Sequence, residues 1–206
     1  MAVVTHLYDS QTDARQALDQ LIAAGIPEAD VSIVANNADN SYRPNTDGKI
    51  DRDRDGTDDR AEGATTGGTL GATLGGTAGL LAGLGILAIP GIGPVVAAGW
   101  LASTALGMAA GATAGSLLGA LTQSGVAEED AHVYAEGVRR GGTLLTVRVS
   151  DSDRTRVESL LGSSSVDVQN RADAYRATGW NRFDEQSPNL TPEEIRRERE
   201  RYRSNL

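Results

Sequence analysis

The uncharged stretch from Ala64 to Ala127 constrains the fold more than any other part of this sequence. It contains no Asp, Glu, Lys, Arg or His, although charged residues make up 23% of the 206-residue chain. Glycine recurs within it at every fourth residue, in two series that a segment with two prolines separates. The series are Gly67, Gly71, Gly75, Gly79 and Gly83, and then Gly99, Ser103, Gly107, Gly111, Gly115 and Gly119, with one serine replacing a glycine.

The four-residue spacing predicts two helices, each with a smooth face of small residues. An α-helix turns once in 3.6 residues, so residues four apart lie on the same side. Glycine costs about 1 kcal/mol relative to alanine in a helix, and close approach of another backbone offsets that cost. Because Pro90 and Pro94 interrupt a helix, we predict helices over residues 64–88 and 95–122, folded back as an antiparallel glycine-zipper hairpin.

This hairpin is expected to bring copies of the chain together. The sequence does not decide whether they meet in a membrane or in a soluble assembly. Each arm of about 25 residues would extend roughly 37 Å, which is longer than the ~30 Å hydrocarbon core of a bilayer. Its high content of Gly, Ala and Thr argues instead for packing within a soluble homo-oligomer or a larger assembly. Burial of the hairpin within one globule is a third interpretation, although the flanking segments look small for that role.

Similar strand–helix–strand patterns flank the hairpin. The first has a strand over residues 3–8, a helix from Gln11 to Ala24 that Asp9 and Ser10 cap, and a strand from Asp30 to Ala35. After a helix over residues 127–140, the second pattern has strands over Thr143–Val149 and Val166–Gln169 around a helix that ends at Leu161. Together the patterns predict an α+β fold, a ferredoxin-like split βαβ sandwich that the hairpin interrupts.

This interpretation divides the chain into five parts. They are the first βαβ half (1–37), an acidic insert (38–63), the hairpin (64–124), a helix with the second βαβ half (125–171) and a C-terminal tail with a charged helix (172–206).

The acidic insert contains the spacing of a calcium-binding loop. Carboxylates stand at positions 1, 3, 5, 9 and 12 of a twelve-residue EF-hand pattern, and Gly56 occupies the turn at position 6. The predicted Ca²⁺ ligands are Asp51, Asp53, Asp55, Thr57 through its carbonyl, Asp59 and Glu62. Asp58 at position 8, which is usually apolar, and the missing entering helix weaken this interpretation, and a solvated acidic linker is the alternative.

The C-terminal tail ends in a helix, predicted from Glu193 to Tyr202, that is charged on all sides. Thr191, Pro192 and Glu194 have the pattern of a helix start. Such a helix is either exposed to solvent or binds an acidic partner such as a lipid headgroup.

Composition excludes several classes of function. The chain has no cysteine, which excludes disulfides and thiol chemistry, and its net charge of −9 argues against nucleic-acid binding. No catalytic motif accompanies the two histidines, so we expect no enzyme activity. Without an export signal at its start, the chain is expected in the cytoplasm, with the cytoplasmic membrane as the alternative location.

Several segments carry a family resemblance over about residues 2–171. They include the run from Leu84 to Gly99, the run from Ala135 to Leu144 and the opening Leu7-Tyr8-Asp9-Ser10. The chain resembles the bacterial general stress proteins with a YflT-like domain, whose relatives are labelled low-temperature-induced proteins. The resemblance implies a stress-related role without an established biochemical activity. We therefore expect a non-enzymatic, self-assembling stress protein, and the alternative is a calcium- or ligand-responsive sensor.

Overall fold

An antiparallel sheet with helices on both faces forms the fold. The computed structural model describes residues 1–39, 85–89, 92–101 and 117–203. The strands are β1 (Ala2–Tyr8), β2 (Val31–Asn36), β3 (Gly85–Ile89), β4 (Gly93–Gly99) and β5 (Thr143–Val149). The helices are α1 (Gln11–Ala23), α2 (Leu117–Gln123), α3 (Glu128–Arg139), α4 (Arg154–Gly162), α5 (Val168–Arg176) and α6 (Pro192–Arg203), and a 3₁₀ turn spans Glu28–Asp30. The strand order is β1-β5-β2-β4-β3, and the prediction of an α+β fold is confirmed.

The first predicted strand–helix–strand unit is present as β1, α1 and β2. The hydroxyl of Ser10 accepts a hydrogen bond from the backbone N–H of Thr12 at the start of α1. Gly25 follows the helix with a φ of 84°, a conformation in which glycine lacks the strain of other residues. Strand β5 pairs antiparallel with both β1 and β2, so a strand from the second half of the chain separates the two strands of the first.

The prediction of helices over residues 85–88 and 95–99 is wrong. These residues belong to β3 and β4, which pair with each other, and β4 pairs in turn with β2. The apolar runs Ile86–Ile89 and Val95–Val96 suit a strand as well as a helix. The edge of β2 offers backbone hydrogen bonds to β4, and β4 offers its other edge to β3. Such tertiary pairing overrides a local helical pattern. Helix α2 lies within the predicted second arm, while most of both predicted arms lies outside the described residues.

The predicted strand over Val166–Gln169 is also wrong, because α5 begins at Val168. Val166 still donates one backbone hydrogen bond, 2.8 Å long, to the carbonyl of Leu7 beside β1. The carboxylate of Asp167 then accepts from the N–H of Asn170 at 2.8 Å and caps the helix. The chain therefore makes one backbone hydrogen bond to the edge of β1 and then enters α5.

Apolar side chains pack on both faces of the sheet. On one face, α1 and α4 contribute Leu18, Leu21, Val157 and Leu161. On the other face, α2 and α3 contribute residues such as Leu121 and Tyr134, and helices α3, α5 and α6 share a third cluster farther from the sheet. All six residues of β2 are buried, as expected for a strand that helices cover on both sides.

Candidate functional site

The predicted site residues fall mostly outside the described part of the chain. All six predicted calcium ligands lie outside the described residues. The first glycine series and four members of the second lie outside them as well. Gly99 and Gly119 lie among the described residues, at the end of β4 and within α2. The structure therefore bears on the predicted self-association surface only through β3, β4 and α2.

Gly99 has a role different from the predicted one. It ends a strand with a φ of 89° instead of lying on a helix face. A Cβ atom at this position would lie 2.2 Å from the carbonyl oxygen of Val31 and 2.8 Å from the Cα of Ser32. Glycine is needed here because the backbone of β2 approaches closely, so its place in the predicted zipper series is wrong.

Strands β3 and β4 form an uncharged hairpin, the edge hairpin, and β3 is the outermost strand among the residues that the structure describes. The N–H of Asn37 donates to the carbonyl of Pro94, so the backbone groups of Pro94 face β2. Ala88 lies opposite Pro94, and Ile86 lies two residues away on β3. Backbone groups alternate in direction along a strand, so the N–H and C=O groups of Ile86 and Ala88 face away from β4.

The opposite edge of the sheet, at β1, is partly covered. The carbonyl of Leu7 accepts the hydrogen bond from Val166, and the carbonyl of Thr5 accepts one from the Tyr134 hydroxyl at 2.9 Å. These contacts use two of the outward carbonyls that another strand would need. The two edges therefore differ in their capacity to pair with a further strand.

Helix α6 packs against the body of the fold, although its sequence is charged on all sides. Ile195 is fully buried and Tyr202 is nearly so. The Arg199 guanidinium donates to the carbonyls of Gly141 and Asn36 and pairs with Asp39. The interpretation of α6 as a fully solvated helix is therefore wrong. The contact of Arg199 with Asp39 also holds the first residues of the acidic insert against α6.

Arginines and glutamates alternate between the end of α3 and helix α6. The Glu136 carboxylate, whose side chain is 1% exposed, pairs with Arg139 at 3.2 Å and with Arg140 at 2.6 Å. Arg140 continues to Glu198 at 2.8 Å, and Glu198 pairs with Arg201 at 2.8 Å. Burial lowers the pKa of Arg140, but its bonds to Glu136 and Glu198 outweigh this and raise that pKa above its ordinary value.

A groove of about 290 Å³ opens beside this network. Four arginines and two glutamates line it, namely Arg139, Arg140, Arg197 and Arg201 with Glu194 and Glu198. We call it the arginine groove. No sequence pattern predicts this groove, because its residues come from two segments 49 or more residues apart, as the bond from Arg139 to the Pro188 carbonyl illustrates. The four-residue spacing of Arg197 and Arg201 is the one local signal for a shared basic face.

His6 and Ser165 form a hydrogen-bonded pair beside β1. The Nδ1 atom of His6 lies 2.8 Å from the Ser165 hydroxyl oxygen. Burial lowers the pKa of His6, and the charge of Glu158 opposes that effect, so the imidazole is neutral at pH 7. No carboxylate of the described residues lies within 4.0 Å of its ring nitrogens, whereas a catalytic histidine is normally oriented by one. The pair ties β1 to the turn after α4.

Within the described residues, no group of three or more His, Cys, Asp or Glu side chains is placed to hold a metal ion. No helix among those described has the length and apolar character needed to cross a bilayer.

Comparison of the chain with models of protein families, with curated proteins and with solved structures found no match. The resemblance to general stress proteins therefore stays a prediction.

Proposed function

We propose that this protein is a non-enzymatic, self-associating protein of the stress response, and that copies pair through β3 of the edge hairpin. The observation that carries this proposal is the position of β3 at the outer edge of the sheet. Natural edge strands are usually protected by charged residues, proline or bulges. The sequence of β3, Gly-Ile-Leu-Ala-Ile, has neither charge nor proline.

The pairing that fits this edge is antiparallel and centred on Leu87. Ile86 of one copy then lies opposite Ala88 of the other, and their outward N–H and C=O groups form four hydrogen bonds across a two-fold axis. Because β1 is partly covered by Val166 and Tyr134, this pairing uses one edge per copy. An interface that uses the same surface on both partners closes as a dimer and does not extend into a filament.

Sedimentation velocity of the full chain over a range of concentrations tests this proposal. The wild type is expected to sediment as a dimer of twice 21.5 kDa. Ala88→Pro removes one outward N–H and leaves the hydrogen bonds between β3 and β4 in place, so it is expected to be a folded monomer. Ala88→Ser keeps the N–H and is expected to remain a dimer.

The proposal fails if the wild type is monomeric at all concentrations. It also fails if Ala88→Pro has the circular dichroism spectrum of the wild type and still dimerises. Leu87→Pro is the inward counterpart, because it removes an N–H that faces β4. It is expected to disrupt the edge hairpin, so comparison with Ala88→Pro separates loss of pairing from loss of folding.

We further propose that the two glycine series contribute to the same self-association. The supporting observation is the repeated spacing in an uncharged stretch, most of which lies outside the described residues. Gly75→Leu and Gly111→Leu are expected to weaken association while the sheet stays folded. If these variants dissociate the protein and Ala88→Pro does not, the glycine series and not β3 forms the contact. Vesicle flotation of the wild type tests the alternative of a membrane-associated hairpin.

We also propose that the core is a variant of the ferredoxin-like fold. The split arrangement of β1, α1 and β2 around β5 supports this assignment. In this variant, α5 replaces the last strand of the second half, and the edge hairpin extends the sheet beyond β2.

The calcium-responsive alternative rests on the carboxylate spacing of the acidic insert. Titration calorimetry with Ca²⁺ tests it, with Asp53→Ala and Glu62→Ala as the variants that remove predicted ligands. Heat in the wild type that both variants abolish would support a calcium site. The absence of heat in the wild type would remove this alternative.

A further inference from the structure

We infer that the arginine groove binds a phosphate group with two negative charges, either free or carried by a small molecule. The groove lies between the end of α3 and the outer side of α6, and its volume of about 290 Å³ accommodates a phosphate with a modest substituent. This inference does not depend on the proposed self-association, because no residue of β3 lines the groove.

The carboxylates of the groove already have partners within the protein. Glu198 pairs with both Arg140 and Arg201 at 2.8 Å. The carboxylate of Glu194 accepts hydrogen bonds from the backbone N–H and the hydroxyl of Thr191 at 2.8 and 2.9 Å. These bonds lower the pKa of Glu194, with the backbone bond as the largest cause.

The guanidinium groups retain donors beyond those that the carboxylates use. Among the described residues, the Arg197 side chain forms no hydrogen bond and no ion pair, and it is exposed at the groove. Its charge contributes to the lowered pKa of the neighbouring Glu194. An arginine carries five N–H donors in a planar fork that matches phosphate oxygens. The groove therefore has more donors than acceptors.

The neighbouring arginines are held in place before any ligand arrives. Glu136 fixes Arg139 and Arg140 from below, and Glu198 fixes Arg201 from the side. Ordering long side chains is a large part of the entropic cost of binding an anion. Arg139, Arg140 and Arg201 are already ordered by their ion pairs, so binding has to order only Arg197. A dianion bound between Arg197 and these three arginines would accept hydrogen bonds from the N–H groups that have no acceptor.

Titration calorimetry of the full chain with sodium pyrophosphate, at constant ionic strength, tests the inference. Arg197→Gln is expected to weaken binding by about tenfold or more, because it removes charge-assisted hydrogen bonds. Arg176→Gln is the matched control, because it removes the same charge at an exposed ion pair on α5. It is expected to bind as the wild type does. Arg197 is exposed, so Arg197→Gln should keep the wild-type unfolding curve.

Two results would overturn the inference. One is the absence of heat for the wild type at millimolar pyrophosphate. The other is an equal weakening by Arg197→Gln and Arg176→Gln, which would indicate attraction by overall charge alone.

Cosedimentation with vesicles distinguishes the source of the phosphate. Vesicles of phosphatidylcholine with phosphatidic acid are compared with vesicles of phosphatidylcholine alone. Binding that requires phosphatidic acid and that pyrophosphate displaces would identify a lipid headgroup in the groove. Binding of pyrophosphate without binding of vesicles would identify a soluble phosphate ligand, and either result supports the inferred chemistry.

Discussion

Replacement of Gly99 by alanine tests directly whether this part of the uncharged stretch is a strand or a helix. Gly99 ends β4 with a φ of 89° and lies opposite Ser32 of β2. A new Cβ atom would approach the Val31 carbonyl oxygen to 2.2 Å. Both the backbone conformation and the neighbouring strand therefore oppose any side chain, and we expect Gly99→Ala to lower the free energy of unfolding.

The magnitude has two parts. A residue with a Cβ in the left-handed region costs about 1–2 kcal/mol. The contact with Val31 involves backbone atoms that sheet pairing holds in place, and overpacking of this kind costs about 1–3 kcal/mol. Together they predict a loss of about 2–5 kcal/mol for Gly99→Ala.

Urea denaturation followed by circular dichroism measures this loss, with Gly25→Ala as the matched control. Gly25 has a φ of 84°, but a Cβ built there would meet no atom within 4 Å. Its variant should therefore lose only the conformational part, about 1–2 kcal/mol. The difference between the two variants isolates the contact between β4 and β2.

If residue 99 lay in a helix, Gly99→Ala would instead raise the free energy of unfolding. Alanine is favoured over glycine in a helix by about 1 kcal/mol, so a more stable Gly99→Ala would refute the strand assignment. Equal losses in Gly99→Ala and Gly25→Ala would refute the close approach of Val31.

Three further predictions concern charge and capping. Glu136→Gln should lower the free energy of unfolding by about 3 kcal/mol, because it leaves two largely buried guanidinium groups without their shared carboxylate. Urea denaturation measures this loss, and Glu158→Gln, which breaks an exposed ion pair, is the control. A loss for Glu136→Gln no larger than that of the control would contradict the prediction. Thr191→Ala should cost about 1 kcal/mol through loss of the capping box at α6, and Thr191→Ser should restore most of it in thermal melts. Burial lowers the pKa of His6 below 6.5 in the folded protein. As the pH falls, His6 is therefore protonated in the unfolded chain before it is protonated in the folded one. The free energy of unfolding should therefore decrease as the pH falls below about 6.5, until it passes the pKa of folded His6. Denaturation of His6→Asn across the same pH range should lack this component, and an identical slope would exclude His6 as its source.

The sequence predicts the elements whose signals are local. Ser10 and Gly25 bound α1 as their capping preferences indicate. Helix α3 ends as predicted before Gly141, which has a φ of 104°. Each of these features depends on neighbours within a few residues, so the sequence pattern contains the information that decides it.

The sequence does not predict which side chains from distant segments meet. Arg139 and Arg140 look like the cationic last turn of a helix, and Arg197 looks like one of many charges on an exposed helix. They form one groove only because α6 packs beside α3. Ile195 and Tyr202 of α6 are buried in this packing, but two apolar residues seven positions apart in a charged helix are too weak a pattern to predict it.

Local sequence signals are enough to predict the first strand–helix–strand unit and the helix before Gly141, which the sequence predicts over residues 127–140 and which spans Glu128–Arg139. Contacts between distant segments select strands for residues 85–89 and 93–99, a helix in place of the last predicted strand, and the packing of α6 against the body. Apolar, glycine-containing runs depend on such contacts because their local preferences are weak. The unpaired backbone groups of β2 provide the hydrogen bonds that select a strand for β4, and those partners lie about 60 residues away in the sequence.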